Sequence, residues 1–434
     1  MCRSTVERGK EIKRGKMRAN TLTALDIFAG GGGLSEGFCK AGFDIINHIE
    51  QDRNAAETLR TRVMFFLLKE SGLIKEYYDY LYGRTYRQDL ISKYNLENLI
   101  NNNVICEEIS ERTIDDIIQR VKLSMKMRGI KNIDVLMGGP PCQAYSLVGR
   151  ARDPYKMEHD RRNYFYKYYV EFLKKFNPEI FVYENVPGVL SAGNGKLFDD
   201  IQRYMDDVGY EINHQILNSA DFMVLQNRKR IILIGWKKGN NFKYPDFEKI
   251  GHNYRVKNVL DDLPDLKAGE GKEDAQEYIT EDINDYLRKT EIRTHHDKVI
   301  NHIARPHRKE DLEIYRYAIN KYLKGNNLLY TDLPERLQFH KNRESFLDRF
   351  RVLDCNASAS HTVVAHIARD GHYYIHPDIN QLRSLTVREV ARLQSFPDNY
   401  KFEGPRTAQF IQVGNAVPPL MAEKIAGEIR GMLL

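Results

Sequence analysis

Cys142 lies in the stretch GGPPCQAYS (residues 138–146), directly after the apolar run IDVLM. Two glycines and two prolines precede it, and proline restricts the backbone, so the thiol is expected to have a fixed position at the end of a buried strand. Free cysteine is often a buried packing residue. A thiol held in a rigid polar loop is also the form that a nucleophile takes. Other parts of the sequence distinguish these two roles.

A glycine-rich turn, DIFAGGGGLSEGF (residues 26–38), follows the first predicted strand and precedes a predicted helix. Nucleotides bind at such helix N-termini through backbone N–H groups. The turn departs from the pattern G-x-G-x-x-G, because its sixth position is Ser35 or Glu36, depending on the starting glycine. Glu50 ends the next predicted strand, where a carboxylate contacts a ribose diol. Together these features favour a nucleoside cofactor without phosphates, and S-adenosylmethionine is the obvious candidate.

The order of the predicted elements indicates the fold class. Strand-like and helical patterns alternate from residue 22, and the runs KNIDVLMGG, PEIFVYENV and RKRIILIGW are continuously apolar, as in a buried parallel sheet. This alternation is typical of an α/β, doubly wound, Rossmann-like domain. A Tyr-rich segment at about 61–105 is predicted to be a helical surface insertion. Nearer the C-terminus, Thr386 and Glu389 predict a capping box for a helix.

Composition and charge limit the possible classes of protein. The 434 residues carry a formal net charge of +6, but most of this excess lies in the first 20 residues. That tail is either a solvated arm or a phosphate contact, and the rest of the chain is close to neutral. The five cysteines have no C-x-x-C spacing, which predicts free thiols in a reducing cytoplasm. We expect no signal peptide and no membrane span.

Six motifs in a fixed order carry a resemblance to a known family. They are DIFAGGGGLSEGF, GGPPCQAYS, YENVPG, QNRKRIILIG, LTVREVARLQSFPDNY and QVGNAVPPLMAEKIA. Together they resemble the motif set of the DNA (cytosine-5) methyltransferases. The resemblance runs from about residue 22 to 430, apart from the 61–105 insertion and the 245–380 segment. It implies methyl transfer from S-adenosyl-L-methionine to C5 of a cytosine in double-stranded DNA.

The resemblance also implies a division of the chain into four parts. These are a basic N-terminal tail (1–21), a catalytic S-adenosylmethionine-binding domain (22–245), a smaller target-recognition domain (246–384) and a C-terminal segment that returns to the catalytic domain (385–434). We expect a compact enzyme without regulatory domains, which favours the modification enzyme of a bacterial restriction–modification system. We expect a monomer that works in the cytoplasm, on the nucleoid, without an obligate protein partner or a membrane.

The chemistry of cytosine agrees with the catalytic residues that the resemblance implies. C5 is a poor nucleophile until a thiolate adds to C6, which is the role expected of Cys142. Glu184 would donate a proton or hydrogen bond to ring N3, and Asn185 would hold the loop or the base. Arg230 would pair with O2, and Arg228 would brace the site or a phosphate. C6 is hidden inside a duplex, so the cytosine is expected to be flipped out.

The resemblance assigns cofactor contacts as well. The residues expected around the methionine part, the ribose and the adenine are Phe28, Gly30, Gly32, Gly33, Leu34, Glu50, Glu108, Ile109, Gly139, Pro141, Asn415 and Val417. The acid for the adenine amino group is Glu108 in CEEIS or Asp89 in RQDL. We expect Glu108, because a strand-like NVIC precedes it and its distance to GGPPC fits one helix.

Several alternatives stay open at this point. One is an RNA (tRNA) cytosine-5 methyltransferase of the same fold, although the Cys-Phe-Thr tripeptide of that branch is absent. Another is a non-catalytic DNA-binding regulator, against which Cys142, Glu184 and Arg230 argue. The basic stretch at 150–162 either clamps phosphates or is a mobile charged loop. The histidines of SHTVVAHIARDGHYYIHP match no zinc spacing, so no metal is expected.

Overall fold

The computed structural model describes residue 12, residues 21–141 and residues 165–434. Its centre is a seven-stranded sheet of order β3-β2-β1-β4-β5-β7-β6. The strands are β1 (Thr23–Ile27), β2 (Asp44–Glu50), β3 (Val104–Cys106), β4 (Val135–Gly138), β5 (Ile180–Asn185), β6 (Tyr210–Asn218) and β7 (Lys229–Lys237). Strands β1 to β5 pair in parallel. The predicted doubly wound α/β fold is confirmed.

Strand β7 pairs antiparallel with both β5 and β6. The sequence-based prediction that RKRIILIGW is a parallel strand was wrong in direction. The four residues 231–234 are fully buried, and a strand covered on both faces is a continuous apolar run whichever way it points. Hydropathy therefore located the strand but carried no information on its orientation. Strand β6 at the sheet edge alternates exposed and partly buried residues over most of its length and was not predicted.

Helices cover both faces of this sheet. The helices in the described residues are α1 (Gly33–Lys40), α2 (Arg53–Glu70), α3 (Ile74–Leu81), α4 (Arg87–Lys93), α5 (Glu97–Asn103), α6 (Ile114–Arg128), α7 (Phe165–Phe176), α8 (Lys196–Asp207), α9 (Asp285–Lys289), α10 (Lys309–Leu323), α11 (Val387–Leu393), α12 (Arg406–Asn415) and α13 (Pro419–Leu433). Helices α6, α7 and α8 pack on one face, and α1 and α13 on the other. Within the described part of the chain, none of these helices is long and apolar enough to span a membrane.

Helices α2 to α5 form a separate hydrophobic cluster, which also contains Ile12 of the N-terminal tail. This cluster is joined to the C-terminal segment by hydrogen bonds. Tyr77 donates to the Asn399 carbonyl at 2.9 Å, and Tyr80 donates to the Glu403 carboxylate at 2.6 Å. The helices that follow β2 therefore pack against residues more than three hundred positions later in the chain.

Residues 246–384, all of them described, have little regular structure. They contain the helices α9 and α10, short 3₁₀ turns and isolated β-bridges. A compact core around α10, which includes Tyr315, Tyr330 and Phe350, holds the middle of this segment together. The absence of a clear strand–helix rhythm in its sequence corresponds to this architecture.

The C-terminal segment packs against the seven-stranded sheet and the helix α1. The predicted capping box at α11 is confirmed, because Thr386 Oγ1 accepts from the Glu389 amide and Glu389 accepts from the Thr386 amide at 2.6 Å. Tyr400 donates to the Gly31 carbonyl at 2.8 Å. A Cβ at Gly33 would lie 2.1 Å from the Val417 carbonyl oxygen. Glycine at this position lets the backbone of α1 approach the loop before α13.

Candidate active site

A cavity of about 520 Å³ opens at the carboxyl ends of the parallel strands, where doubly wound sheets bind their ligands. The residues that follow β1, β2, β3, β4 and β5 all contribute to its wall. The predicted site residues that line it are Phe28, Gly30, Gly33, Leu34, Glu50, Glu108, Ile109, Gly139, Pro141, Glu184, Asn185, Arg230, Asn415 and Val417. The fold thus brings most of the predicted site residues, spread over almost the whole chain, to one place.

Three predicted site residues are not part of the described wall. Cys142 lies outside the described residues, directly after Pro141, which does line the cavity. Gly32 faces away from it: a Cβ there would lie 2.4 Å from Tyr400 Oη, and its φ is +78°. The structure accordingly gives Gly32 a packing and turn-forming role. The third predicted site residue outside the described wall is Arg228.

Arg228 is fully buried and contacts backbone carbonyls instead of the cavity. Its guanidinium donates to the Val363 carbonyl at 2.6 Å and to the Gly414 carbonyl at 3.0 Å. The expectation that it braces a phosphate is therefore wrong, because a side chain without exposed surface cannot reach DNA. Arg228 instead joins the start of β7 to the 246–384 segment and to the residue before Asn415.

Gln226 makes a parallel set of contacts, which the sequence analysis missed. Its side-chain oxygen accepts from the Val363 amide at 2.8 Å, and its amide donates to Gln394 at 3.0 Å. The only sequence signal was its place at the start of the QNRKR motif. Gln226 and Arg228 together form a buried junction between three parts of the chain.

The glycine turn is fixed to the end of β2 by Glu50. The Gly30 amide donates to Glu50 Oε2 at 2.7 Å, and the Asp52 amide donates to Oε1 at 2.8 Å. Burial raises the pKa of Glu50, although these two hydrogen bonds oppose the rise. Phe28 has a φ of +56°, a conformation that bulky residues seldom adopt and that occurs at ligand sites. The glycine turn and the Glu50 carboxyl therefore have fixed positions next to each other.

Glu184 and Arg230 form an ion pair at the other end of the cavity. The Glu184 Oε1 to Arg230 Nε distance is 2.7 Å, and each side chain is 12% exposed. The antiparallel direction of β7 explains the pairing, because Asn185 at the end of β5 is opposite Ile231 near the start of β7. If β7 were parallel to β5, Arg230 at its start would lie beside the amino ends of the parallel strands, away from the cavity at their carboxyl ends.

Gly139 provides the space that Glu184 occupies. A Cβ at this position would lie 2.5 Å from Glu184 Oε2 and 3.2 Å from its carbonyl oxygen. Asn185 beside it is buried and donates to the Pro140 carbonyl at 3.3 Å. Of the two roles expected for Asn185, holding the loop is the one with a contact in the structure. The GGPP loop is thereby attached to the end of β5.

Glu108 and Asp89, the two candidates for the adenine contact, lie in different surroundings. Glu108 follows β3 and lines the cavity together with Glu107, which the sequence analysis did not single out. Asp89 lies on the exposed face of α4 and is not a wall residue. Of the two candidates, Glu108 is therefore the one that lines the cavity.

The cavity wall is strongly acidic. Its carboxylates are Asp26, Glu50, Asp52, Glu107, Glu108 and Glu184, and among the described wall residues Arg230 is the one cation. This surplus of negative charge favours a cationic ligand and disfavours a phosphate-bearing nucleotide. Asp26, Asp52 and Gln412 are further wall residues that sequence reasoning missed, since none of them stands out by spacing.

Two of the histidines near the end of the 246–384 segment, His361 and His372, pack against aromatic rings. His361 stacks on Tyr374 with ring centroids 4.9 Å apart, and its Nε2 is 2.8 Å from the Tyr373 carbonyl oxygen. Across residues 12, 21–141 and 165–434, no three His, Cys, Asp or Glu side chains are grouped so that they could hold a metal ion.

The comparisons with known proteins agree with this geometry. Residues 68–431 match the model of the C-5 cytosine-specific DNA methylase family. The Type II methyltransferase M.Bpa9945I of Bacillus paralicheniformis is 42% identical over 95% of this chain and 99% of its own length. The Type II methyltransferase M.DdeI of Desulfomicrobium norvegicum is 31% identical over 94% of this chain and 88% of its own length.

A solved structure shows the same fold. It is a DNA modification methyltransferase encoded within a prophage of E. coli, with a TM-score of 0.62 and 22% identity, and the match covers 95% of this chain and 99% of that one. The sheet order and the cavity define the Rossmann-like fold of S-adenosylmethionine-dependent methyltransferases. Within that class, the chain belongs to the C-5 cytosine-specific DNA methylase family and is a DNA (cytosine-5) methyltransferase. The resemblance in the sequence motifs is confirmed.

Proposed function

We propose that the protein uses S-adenosyl-L-methionine to methylate C5 of a cytosine flipped out of a specific double-stranded DNA sequence, as the modification enzyme of a restriction–modification system. The Type II relatives support the biological setting. The observation that carries the chemistry is the Glu184–Arg230 pair in the cavity, beside the loop that leads to Cys142.

The residues present fit the cofactor. S-adenosylmethionine carries a sulfonium and an ammonium group, and the acidic wall of the cavity suits both. Glu50, at the end of β2, would hold the ribose diol, and Glu108, which lines the same cavity, would contact the adenine. Asn415 and Val417, which belong to the C-terminal segment of the chain, form a further part of the cavity wall. When bound, the cofactor supplies an electrophilic methyl group.

Glu184 and Arg230 present a carboxyl and a guanidinium side by side. In cytosine, N3 and O2 are neighbouring atoms on one edge of the ring. Glu184, after it takes up a proton from water, donates that proton or a hydrogen bond to N3 while Arg230 donates to O2, so both groups stabilise the charge that develops when a nucleophile adds to C6. The ion pair holds both groups in place before the base arrives.

The nucleophile is the Cys142 thiolate, which lies outside the described residues. Its sulfur forms a bond to C6, and the electrons of the C5–C6 double bond make C5 the carbon that receives the methyl group, while the bond between that methyl group and the donor sulfur breaks and leaves its electron pair on that sulfur. A base then removes the C5 proton, and the electron pair of the C5–H bond restores the double bond and expels the thiolate. C6 lies inside the stack of a duplex, so the base must leave the helix first.

The position of the basic stretch at 150–162 stays a prediction, because those residues are outside the described ranges. The family model describes DNA methylases, which favours DNA over RNA as the substrate. The alternative of a non-catalytic regulator makes the opposite prediction for methyl transfer, and one assay separates all three functions.

That assay is tritiated methyl transfer to unmethylated duplex DNA and to tRNA, followed by bisulfite sequencing of the duplex. We expect C5 methylation of the duplex in one sequence context and none of tRNA. The C142S variant should be inactive, while E248Q, a change at an exposed acid that is not among the described wall residues of the cavity, should be fully active. Methylation of tRNA alone, or no transfer to either substrate, would contradict the proposal.

A mechanistic trap tests the covalent step separately. DNA with 5-fluorocytosine at the target cannot lose a proton from C5, so the enzyme should remain attached after methyl transfer and survive boiling in detergent. The trap should require S-adenosylmethionine and Cys142. Variants of Cys39, Cys106 or Cys355 should still form it. An adduct that persists in C142S would show that the nucleophile is a different residue.

A further inference from the structure

The loop of residues 342–349, which we call the arginine-braced loop, is built around one guanidinium. Arg349 Nη2 donates to the carbonyls of Asn342 and Ser345, both at 2.8 Å. The Asn342 side chain accepts from the Ser345 amide at 3.0 Å, so the loop is closed from both ends. The guanidinium lies 4.1 Å from the centre of the Tyr330 ring, which attaches the loop to the core around α10.

Phe346 lies at the tip of this loop, and both its backbone conformation and its exposure to solvent are unfavourable for a phenylalanine. Its φ is +57°, and 60% of its surface is exposed. Bulky residues adopt such a backbone only where the surrounding structure imposes it. Here Arg349 Nε imposes it by donating to the Phe346 carbonyl at 3.0 Å. The ring stacks on Tyr373 at 5.6 Å and leaves most of its other surface uncovered.

A short series of contacts joins this tip to the catalytic strand. Tyr373 packs against His361 with ring centroids 4.8 Å apart. The next residue, Thr362, donates to the Asn227 carbonyl, and the Asn227 amide donates to Ser360 at 2.8 Å. Asn227 precedes β7, whose second residue is Arg230. The arginine-braced loop is therefore linked through two aromatic side chains and one hydrogen-bonded turn to the strand that carries an active-site residue.

The surroundings of Phe346 have the chemistry of a DNA contact. Lys341 and Arg343 are exposed on either side of Asn342 and can reach phosphates. An exposed phenyl ring can contact a thymine methyl group or enter a base step. The loop also holds two acids, Glu344 and Asp348, of which Asp348 is paired with Arg351. An exposed apolar tip with the cations Lys341 and Arg343 a few residues before it is suited to duplex DNA, whereas a loop that contacts only water gains nothing from a strained, exposed phenylalanine.

We infer that Phe346 contacts the bases beside the target cytosine and is a specificity-determining residue of this enzyme, with Lys341 and Arg343 as sequence-independent phosphate contacts. The inference rests on the proposed function, because it presupposes a duplex DNA substrate. The loop brace and the Tyr373 stack hold the ring in position, so the ring itself carries the discrimination.

The test begins with the wild-type recognition sequence from bisulfite sequencing. Methylation is then measured on that duplex and on duplexes with one base pair changed at each other position. For F346A we expect kcat/KM on the cognate duplex to fall at least tenfold, with discrimination lost at one or two positions. S-adenosylmethionine affinity and Tm should not change. L323A, which truncates a similarly exposed side chain (65%) in the same segment, should behave as wild type.

Two further variants keep the result unambiguous. F346G relieves the positive φ, so it should unfold at the same or a higher temperature and still lose discrimination. K341Q/R343Q should weaken binding to all duplexes alike and reduce the salt dependence of affinity. The inference fails if F346A and F346G keep wild-type discrimination, or if their loss is equal for every duplex and accompanied by a lower Tm. If wild-type enzyme methylates no duplex, the proposed function fails instead.

Discussion

Glu184 and Arg230 are 2.7 Å apart because β7 runs antiparallel to β5 and its first residues lie at the end of β5. The two residues are 46 positions apart in the chain and come from neighbouring strands, and in the proposed function they act on one edge of the substrate base. We predict that E184Q lowers the single-turnover rate of methyl transfer by about 10²–10⁴, the usual contribution of general acid catalysis.

The same pair predicts non-additive kinetics. R230A should cause a large loss alone, and the E184Q/R230A double variant should lose much less than the product of the single losses, since the groups act as a unit. Rapid-quench measurements on cognate DNA, with E248Q as the control, check this. Simple multiplication of the two single effects would show that the residues work independently.

Substitution of Gly139 should lower the activity, although Gly139 itself does not take part in the reaction. G139A would place a methyl group 2.5 Å from Glu184 Oε2, so Glu184 has to move away from its position beside Arg230. We expect methyl transfer to slow by at least about 10², because a displacement near 1 Å costs that much. G251A is the matched control, since a Cβ there meets nothing within 4 Å. Equal activity of the two variants would contradict the role of Gly139.

Glu108 and Asp89 predict a contrast in cofactor binding. E108A should weaken S-adenosylmethionine binding by about 1–3 kcal/mol, as for a charged hydrogen-bond partner. D89A should leave the Kd unchanged, because Asp89 is on the exposed side of α4. Isothermal titration calorimetry measures both. The reverse order would place the adenine contact among helices α2 to α5.

Substitution of Arg228 should lower the stability of the protein, with no direct effect on the methyl-transfer reaction. R228A removes two buried hydrogen bonds, to the Val363 and Gly414 carbonyls, and should lower the free energy of unfolding by about 2–4 kcal/mol. R230A, at a partly open site, should lower it much less. Urea unfolding monitored by circular dichroism checks the order. A fully stable but inactive R228A would instead show a role in the reaction.

Buried histidines predict a pH dependence of stability. Burial is the main cause that lowers the pKa of His307, His361 and His376 to about 4. Between pH 6.5 and 4 the unfolded chain binds more protons than the folded one, so the free energy of unfolding decreases as the pH falls. The limit is about 1.4 kcal/mol per pH unit for each histidine.

Urea unfolding at several pH values between 7 and 4.5 measures this slope. H307Q removes one of the three titrations, so its stability should fall less steeply with pH than that of the wild type. A pH profile that is flat in the wild type, or identical in H307Q, would contradict the assignment.

Local patterns in the sequence located the parts of the site whose geometry is local. The glycine turn, Glu50 at a strand end and the Thr386–Glu389 capping box depend on residues close in the chain, and their spacing was sufficient. The direction of β7, the burial of Arg228 and the space at Gly139 depend on contacts between distant residues. Residue type and spacing carry no information on those contacts, and Gln226 was missed for the same reason.

The hydrogen bond from Tyr400 to Gly31 joins residues 369 positions apart. Val417, which is also late in the chain, lines the active-site cavity together with Gly33. At about 5–20 residues per second, a ribosome needs on the order of tens of seconds to proceed from one partner to the other. A nascent chain therefore carries the glycine turn long before the residues that complete the cavity wall have been synthesised. Translation that stops early leaves a protein with an incomplete cavity, so any activity that depends on this cavity requires the far end of the message to be read.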